Sequence, residues 1–212
     1  MNRITATIFP PRCPYCSKLL RYDMTECLLC RAQFPKQPRI ELTPTGEICI
    51  SPLTYDAKVR KAILDYKFHG KTFNAESLSA AMAAAVKRVY YKDMSFEVIT
   101  CVPMSKDRRK RRGYNQSELI ARNVAKLLDK PFEELMYRDS GAEQQHNLNA
   151  YERINNRDMT YHVIDPEKIK GKKILIIDDV MTTGATLSNC SKILKEQGAE
   201  RVLCAVAAIT VK

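Results

Sequence analysis

Apolar residues recur at two different periods along most of the chain, and the periods alternate. Ala57–Phe68 places Val59, Ile63, Leu64 and Tyr66 at helical spacing. Residues 75–89 repeat Leu78, Met82 and Val86 every fourth position in an alanine-rich background. Gln116–Leu128 gathers Leu119, Val124, Leu127 and Leu128 along one side, and 187–197 is a further helical stretch closed by Gly198. Between these lie short apolar runs at 96–102, 173–177 and 201–210, predicted as buried strands, with another strand expected at 132–137. Alternation of this kind predicts an α/β fold, a mostly parallel sheet with helices on both faces. Ligands of such sheets bind at the carboxyl ends of the strands, which directs the search for a site.

The N-terminal part breaks the pattern. Residues 1–35 contain Cys13-Pro-Tyr-Cys16 and Cys27-Leu-Leu-Cys30 but little apolar material. Residues 36–54 are proline-rich and read as a connector with one short strand near 48–50; residues 55–212 form the α/β domain. No internal repeat or low-complexity tract interrupts this plan. No apolar run approaches the roughly 20 residues that cross a bilayer, and Met1-Asn2-Arg3-Ile4 does not open a secretory signal. Membrane insertion is not expected, and a cytoplasmic location is.

Eight cysteines fit a reducing compartment, where paired C-x-x-C motifs favour metal over disulfides. Each motif holds two sulfurs on one side of a tight turn, so Cys13, Cys16, Cys27 and Cys30 can close a tetrahedron around Zn²⁺. Metal binding would supply the folding free energy that this small segment lacks. Four thiolates leave no open coordination position, so the expected role is structural. A redox role is the competing reading, but that motif should follow a strand and open a helix. Cys101 and Cys204 sit in apolar runs and read as small buried hydrophobes; Cys49 and Cys190 are scattered.

The formal net charge of +11 changes the picture, because it implies an anionic partner. Phosphate-rich small molecules and nucleic acids both qualify. Much of the excess sits in Lys106–Arg112, Lys-Asp-Arg-Arg-Lys-Arg-Arg, for which a solvated loop is the competing reading.

The segment 174–186 carries the clearest chemistry. Ile174-Leu-Ile-Ile delivers two adjacent carboxylates, Asp178 and Asp179, to the end of a strand. Val180, Met181, Thr182, Thr183, Gly184, Ala185 and Thr186 then run into a helix start. Backbone N–H groups and the helix dipole there make an anion cradle, Gly184 permits close approach, and threonine hydroxyls add donors. The carboxylates cannot favour a phosphate, so they should face ribose hydroxyls or a cation. The competing reading is a threonine-capped strand–turn–helix with a surface acidic pair. Gly70-Lys71-Thr72 imitates the end of a P-loop, but Asp65 stands where that motif needs glycine and no strand precedes it. The three histidines, His69, His146 and His162, share no spacing that suggests a ligand set.

This stretch resembles the phosphoribosyl pyrophosphate (PRPP) signature of type I phosphoribosyltransferases. That resemblance implies that Asp178 and Asp179 hold the ribose hydroxyls and that the 181–186 loop holds the 5′-phosphate. The wider chain resembles the ComF family, which joins a cysteine ribbon to this fold. The likeness rests on Tyr55, Arg60 and Lys67, on Val102-Pro103, on Arg111-Arg112-Gly113-Tyr114-Asn115-Gln116, and on Gln145, Leu148, Arg153 and Asn156. It implies a pyrophosphate loop at Met104, Ser105 and Lys106, assisted by Arg108 to Arg112. It also implies a mobile active-site loop over 139–158, with Arg112 and Arg153 as candidate catalytic cations and Mg²⁺ accompanying PRPP. A surface arginine on a short helix is the competing reading of Arg153. Similarity extends to glutamine-dependent amidophosphoribosyltransferases, although the chain opens Met1-Asn2, without their cysteine nucleophile.

Two functions follow from the resemblance. One is transfer of ribose 5-phosphate from PRPP to an acceptor that the sequence does not identify. The other is single-stranded DNA binding in competence, alone or with other competence proteins, using the ribbon and the basic run. Tyr15, Tyr22, Tyr90, Tyr91 and Tyr114 are the candidate stacking residues.

Overall fold

The computed structural model describes residues 10–90, 95–139 and 161–210. A short helix α1 (Leu28–Arg31) precedes β1 (Arg39–Leu42), β2 (Ile48–Ser51) and β3 (Leu53–Thr54). Then come α2 (Ala57–Phe68), α3 (Asn74–Val89), β4 (Val98–Cys101), α4 (Lys106–Arg112), α5 (Gln116–Leu128) and β5 (Met136–Arg138). The chain continues with β6 (Tyr161–Val163), a 3₁₀ turn, β7 (Lys173–Met181), α6 (Ala185–Glu196) and β8 (Arg201–Ile209).

The main sheet runs β1-β2-β8-β7-β4, with β3 also on β8. Only the β1–β2 pair is antiparallel; β2, β3, β7 and β4 join their neighbours in parallel. Alternate residues of β7 explain the layering. Leu175 and Ile177 pack with α2, α3 and α5 on one face, while Ile174 and Ile176 pack with α6 on the other. Both faces are covered, as continuous apolar runs require of a parallel sheet.

The segment 36–54, read from its prolines as a connector with one strand, instead holds three strands, and all three belong to the main sheet. Proline punctuates this ladder rather than excluding it. Pro52, which has no N–H to donate, falls in the break between β2 and β3, and each strand pairs separately with β8. The basic run 106–112, for which a solvated loop is the competing reading, is the helix α4 with no buried residue. Like charges disfavour such a helix, but Gly113, at φ 82, closes it in the left-handed conformation. The strand expected at 132–137 is shorter and later, Met136–Arg138, because it pairs only with β6 while Phe132 makes an isolated bridge to Ile99.

The cysteine segment is docked on the α/β domain. Cys13, Tyr15, Leu20 and Cys30 belong to the same apolar core as α2 and α3. The Tyr15 hydroxyl pairs with Ser77 Oγ at 3.0 Å, and its ring meets Phe34 edge-on at 4.9 Å. Among the described residues, no helix is long and apolar enough to cross a membrane.

Candidate phosphoribosyl and metal sites

The pocket arises where two neighbouring strands part company. Strand β4 ends at Cys101, opposite Ile177, and one more bond, Val102 N–H to the Ile177 carbonyl at 3.0 Å, closes the ladder. Pro103 then turns that chain away. Strand β7 continues to Met181 with β8 as its only partner among the described residues, so Asp178 and Asp179 stand at an open crevice. The acidic pair was expected at the carboxyl end of a strand over 173–177; the strand runs on to Met181, because β8 pairing carries charged residues that strand propensity alone disfavours.

The crevice holds a cavity of about 200 Å³. Asp178, Asp179, Thr186, Met104 and Arg112 line it, together with Lys67, Arg108, Gln116, Ser117 and Arg138. Lys106 lines an adjoining cavity of about 250 Å³ that shares Pro103, Met104 and Arg138 with the first. Ser105 is the residue preceding α4 and makes no side-chain cap. Two larger cavities, about 350 Å³ each, lie beside the cysteine segment and carry none of this chemistry. Arg153, with Gln145, Leu148 and Asn156, lies outside the described residues.

The two carboxylates have different partners. Ser117 Oγ donates to Asp178 Oδ1 at 2.6 Å, and the Asp179 N–H donates to the same oxygen at 2.8 Å. Lys67 Nζ donates to Asp179 at 2.8 Å. Burial, reinforced by the Asp179 charge, pushes the Asp178 carboxyl up to about 7. Asn115 holds this wall in place: its Oδ1 caps α5 through Ser117 N–H, and its Nδ2 donates to the Val102 carbonyl at 3.3 Å.

The loop after β7 meets the start of α6. Met181 is buried, Thr182, Thr183, Ala185 and Thr186 are exposed, and Gly184 takes the capping position at φ 78. No side chain caps α6 in the usual manner; Thr183 Oγ1 accepts only a long bond, 3.4 Å, from Ala185 N–H. The threonine-capped reading therefore gives way to a glycine corner with helix N–H groups available to an anion. Gly184 is needed twice over, because a Cβ there would stand 2.8 Å from Pro44 Cδ of the β1–β2 turn, at a φ that side chains rarely adopt. Gly184→Ala is expected to cost about 1–2 kcal/mol from the left-handed backbone alone, more with the Pro44 contact, and to weaken phosphate binding. Urea unfolding and phosphate titration measure the two effects.

The four sulfurs of Cys13, Cys16, Cys27 and Cys30 all lie within 4.8 Å of one another. Cys16 Sγ and Cys27 Sγ are 3.6 Å apart. Thiolates at about 2.3 Å from a tetrahedral zinc stand about 3.8 Å apart, so the residues fit the ion with small adjustments. An antiparallel bridge, Arg12 to Leu19, forms the first knuckle. In the second, Cys27 Sγ caps α1 by accepting Cys30 N–H at 3.4 Å, which lowers that thiol to about 7. Burial raises Cys13 and Cys30. A bound cation would displace protons from both.

Comparison with known proteins agrees with this geometry. The phosphoribosyl transferase domain model matches residues 114–209, from the start of α5 to the end of β8. Competence protein F of Haemophilus influenzae is 28% identical over 91% of this chain and 82% of its own length. DNA utilization protein YhgH of Escherichia coli K12 is 26% identical over 90% of this chain and 86% of its own. Competence protein ComFC of Bacillus subtilis is 29% identical over 70% and 58%. The chain carries a phosphoribosyl transferase domain and is homologous to these competence and DNA utilization proteins. Its fold is that of the type I phosphoribosyltransferases, and its cysteine cluster is consistent with a zinc ribbon. Sequence reading singled out Asp178, Asp179 and the 182–186 loop, which the fold places around the end of β7, and the four cysteines, whose sulfurs cluster. It did not assign Ser117, Gln116 or Pro44, whose roles exist only once α5 and the β1–β2 turn are brought to the crevice.

Proposed function

We propose that the crevice binds PRPP with Mg²⁺ and transfers its ribose 5-phosphate group to an acceptor. The observation that carries this reading is that the acidic pair and Thr186, in the first turn of the helix that the uncapped glycine corner opens, line one pocket at the carboxyl end of β7. Asp178 and Asp179 would accept hydrogen bonds from the ribose hydroxyls, and the Thr182–Thr186 loop would hold the 5′-phosphate. Met104, Ser105 and Lys106 would face the pyrophosphate, with Arg108 and Arg112 beside it.

In the reaction, the bond from C1 to the pyrophosphate oxygen breaks and its electron pair leaves with pyrophosphate. The nucleophile adds to C1 from the opposite face and gives up its proton. Positioned cations stabilise the charge that builds on the leaving group, while the carboxylates favour the developing positive sugar. Mg²⁺, held mainly through substrate oxygens, would neutralise pyrophosphate charge. Arg153 is proposed as a further cation contributed by the 139–158 segment. Pyrophosphate release from PRPP, assayed against a panel of amine and nucleobase acceptors, tests transfer. A wild-type protein that binds PRPP but releases pyrophosphate with no acceptor would count against it.

A second reading has its own support. Two of the relatives are named for competence and one for DNA utilization. Lys110 and Arg111, on α4, are exposed and line neither cavity of the crevice. In this reading the chain holds single-stranded DNA, or meets other competence proteins, in the cytoplasm, and PRPP acts as a signal. Lys110→Ala/Arg111→Ala should then reduce the salt slope of oligonucleotide binding by about two released ions. An unchanged slope would remove α4 from the interface.

A further inference from the structure

One wall of the pocket carries two donors, Lys67 and Gln116, that belong to the motifs of the family resemblance but receive no role from it. Lys67 reaches in from the last turn of α2, with its side chain 21% exposed and its ammonium spent on Asp179. Gln116 opens α5 and is 1% exposed. Its Oε1 accepts from Arg112 Nη1 at 3.0 Å, and the Arg112 guanidinium also rests on the Phe68 ring at 4.8 Å. The carboxamide is thereby fixed with its Nε2 unsatisfied: that atom is buried and has no hydrogen-bond partner. The Tyr114 hydroxyl donates to the Tyr66 carbonyl, and its oxygen does not meet Gln116 Nε2 in hydrogen-bonding geometry. A buried amide donor without an acceptor is costly and is retained where a ligand completes it.

We propose that Lys67 and Gln116 form the second jaw of a pyrophosphate clamp, opposite the 103–106 turn. Gln116 Nε2 donates to a pyrophosphate oxygen, and Arg112 holds the amide in the orientation that permits this. Lys67 keeps the buried Asp179 neutralised in the empty pocket. When ribose hydroxyls engage Asp179, the ammonium turns to the pyrophosphate. The chemistry required of the ligand is a diphosphate with at least two free oxygens on the α2–α5 side. This inference rests on the reading of the pocket as a PRPP site.

Calorimetric titration of inorganic pyrophosphate with Mg²⁺ tests it, with PRPP titrated in parallel. Gln116→Glu keeps the Arg112 contact but replaces the donor by an acceptor. It should weaken pyrophosphate binding by about 10- to 100-fold, the effect of losing one charge-assisted hydrogen bond, with no fall in melting temperature. Lys67→Met should weaken it by about tenfold or more. The loss should persist in an Asp179→Asn background, where no carboxylate needs a counterion, and Lys67→Arg should recover part of it. Wild-type pyrophosphate affinity in Gln116→Glu overturns its assignment, and a Lys67→Met effect that vanishes with Asp179→Asn overturns that of Lys67. If the wild type binds PRPP while both variants bind pyrophosphate normally, only the clamp falls; if the wild type binds no PRPP, the pocket reading falls with it.

Discussion

Removing metal from the cysteine cluster, by chelation or by Cys30→Ser, is expected to lower the melting temperature by about 10 °C or more. The magnitude follows from two facts. Structural zinc contributes about 10–16 kcal/mol to the folding of isolated zinc-binding segments. Here the segment is also built into the main core through Cys13, Tyr15, Leu20 and Cys30. Losing those buried contacts would cost the α/β domain about 3–5 kcal/mol, and each kcal/mol shifts a chain of this size by about 2–4 °C. Thiol counting supplies an independent readout. Cys49, Cys101, Cys190 and Cys204 are buried and should stay protected, while the four cluster cysteines become reactive together. A protein that holds no zinc when purified, and melts unchanged after chelation, would contradict the structural role.

Asp178→Asn should stabilise the ligand-free protein above pH 7 while abolishing PRPP binding. Burial and the Asp179 charge raise the native carboxyl from the ordinary 3.8 to about 7. Below about pH 4 both the native and unfolded states carry the proton, so no penalty arises. Between about 4 and 7 the unfolded chain ionises and the native one resists, so stability falls as pH rises and then levels off. The full shift corresponds to about 4 kcal/mol. Pocket water relieves part of it, so the gain expected of Asn at pH 8 is about 1–4 kcal/mol. Both bonds to Oδ1, from Ser117 and from the Asp179 N–H, survive the substitution. Denaturant melts at pH 3 and pH 8 should therefore converge at the lower pH and separate at the higher. Such a pair, more stable and inactive, is the pattern of a site whose function costs stability. Equal stability of variant and wild type at pH 8 would show that the carboxyl ionises without strain.

Much of this architecture is written locally. The helices at 57–68 and 116–128 are legible from apolar spacing, and the structure adds a side-chain cap to each, Asp56 and Asn115. The acidic pair and the glycine corner are legible because a strand, two carboxylates and a helix start are contiguous. What is not contiguous is not legible. The strands at 39–54 depend on β8, about 150 residues later in the chain, and their prolines argue locally against them. The extension of β7 through two aspartates depends on the same partner. Lys67 and Ser117 acquire their roles only when α2 and α5 carry them to Asp179 and Asp178, at separations of 112 and 61 residues. Gly184 illustrates the middle case. Its conformational freedom can be read from the motif, but the proline that presses on it comes from a distant turn.

The central claim is that one pocket holds PRPP through its two carboxylates. Calorimetric titration of PRPP with Mg²⁺ into the zinc-replete protein, beside Asp178→Asn/Asp179→Asn, tests it most directly. The account predicts micromolar, magnesium-dependent binding to the wild type and none to the variant, which should remain folded. A folded wild type that binds no PRPP, or a variant that binds it equally well, would contradict the account.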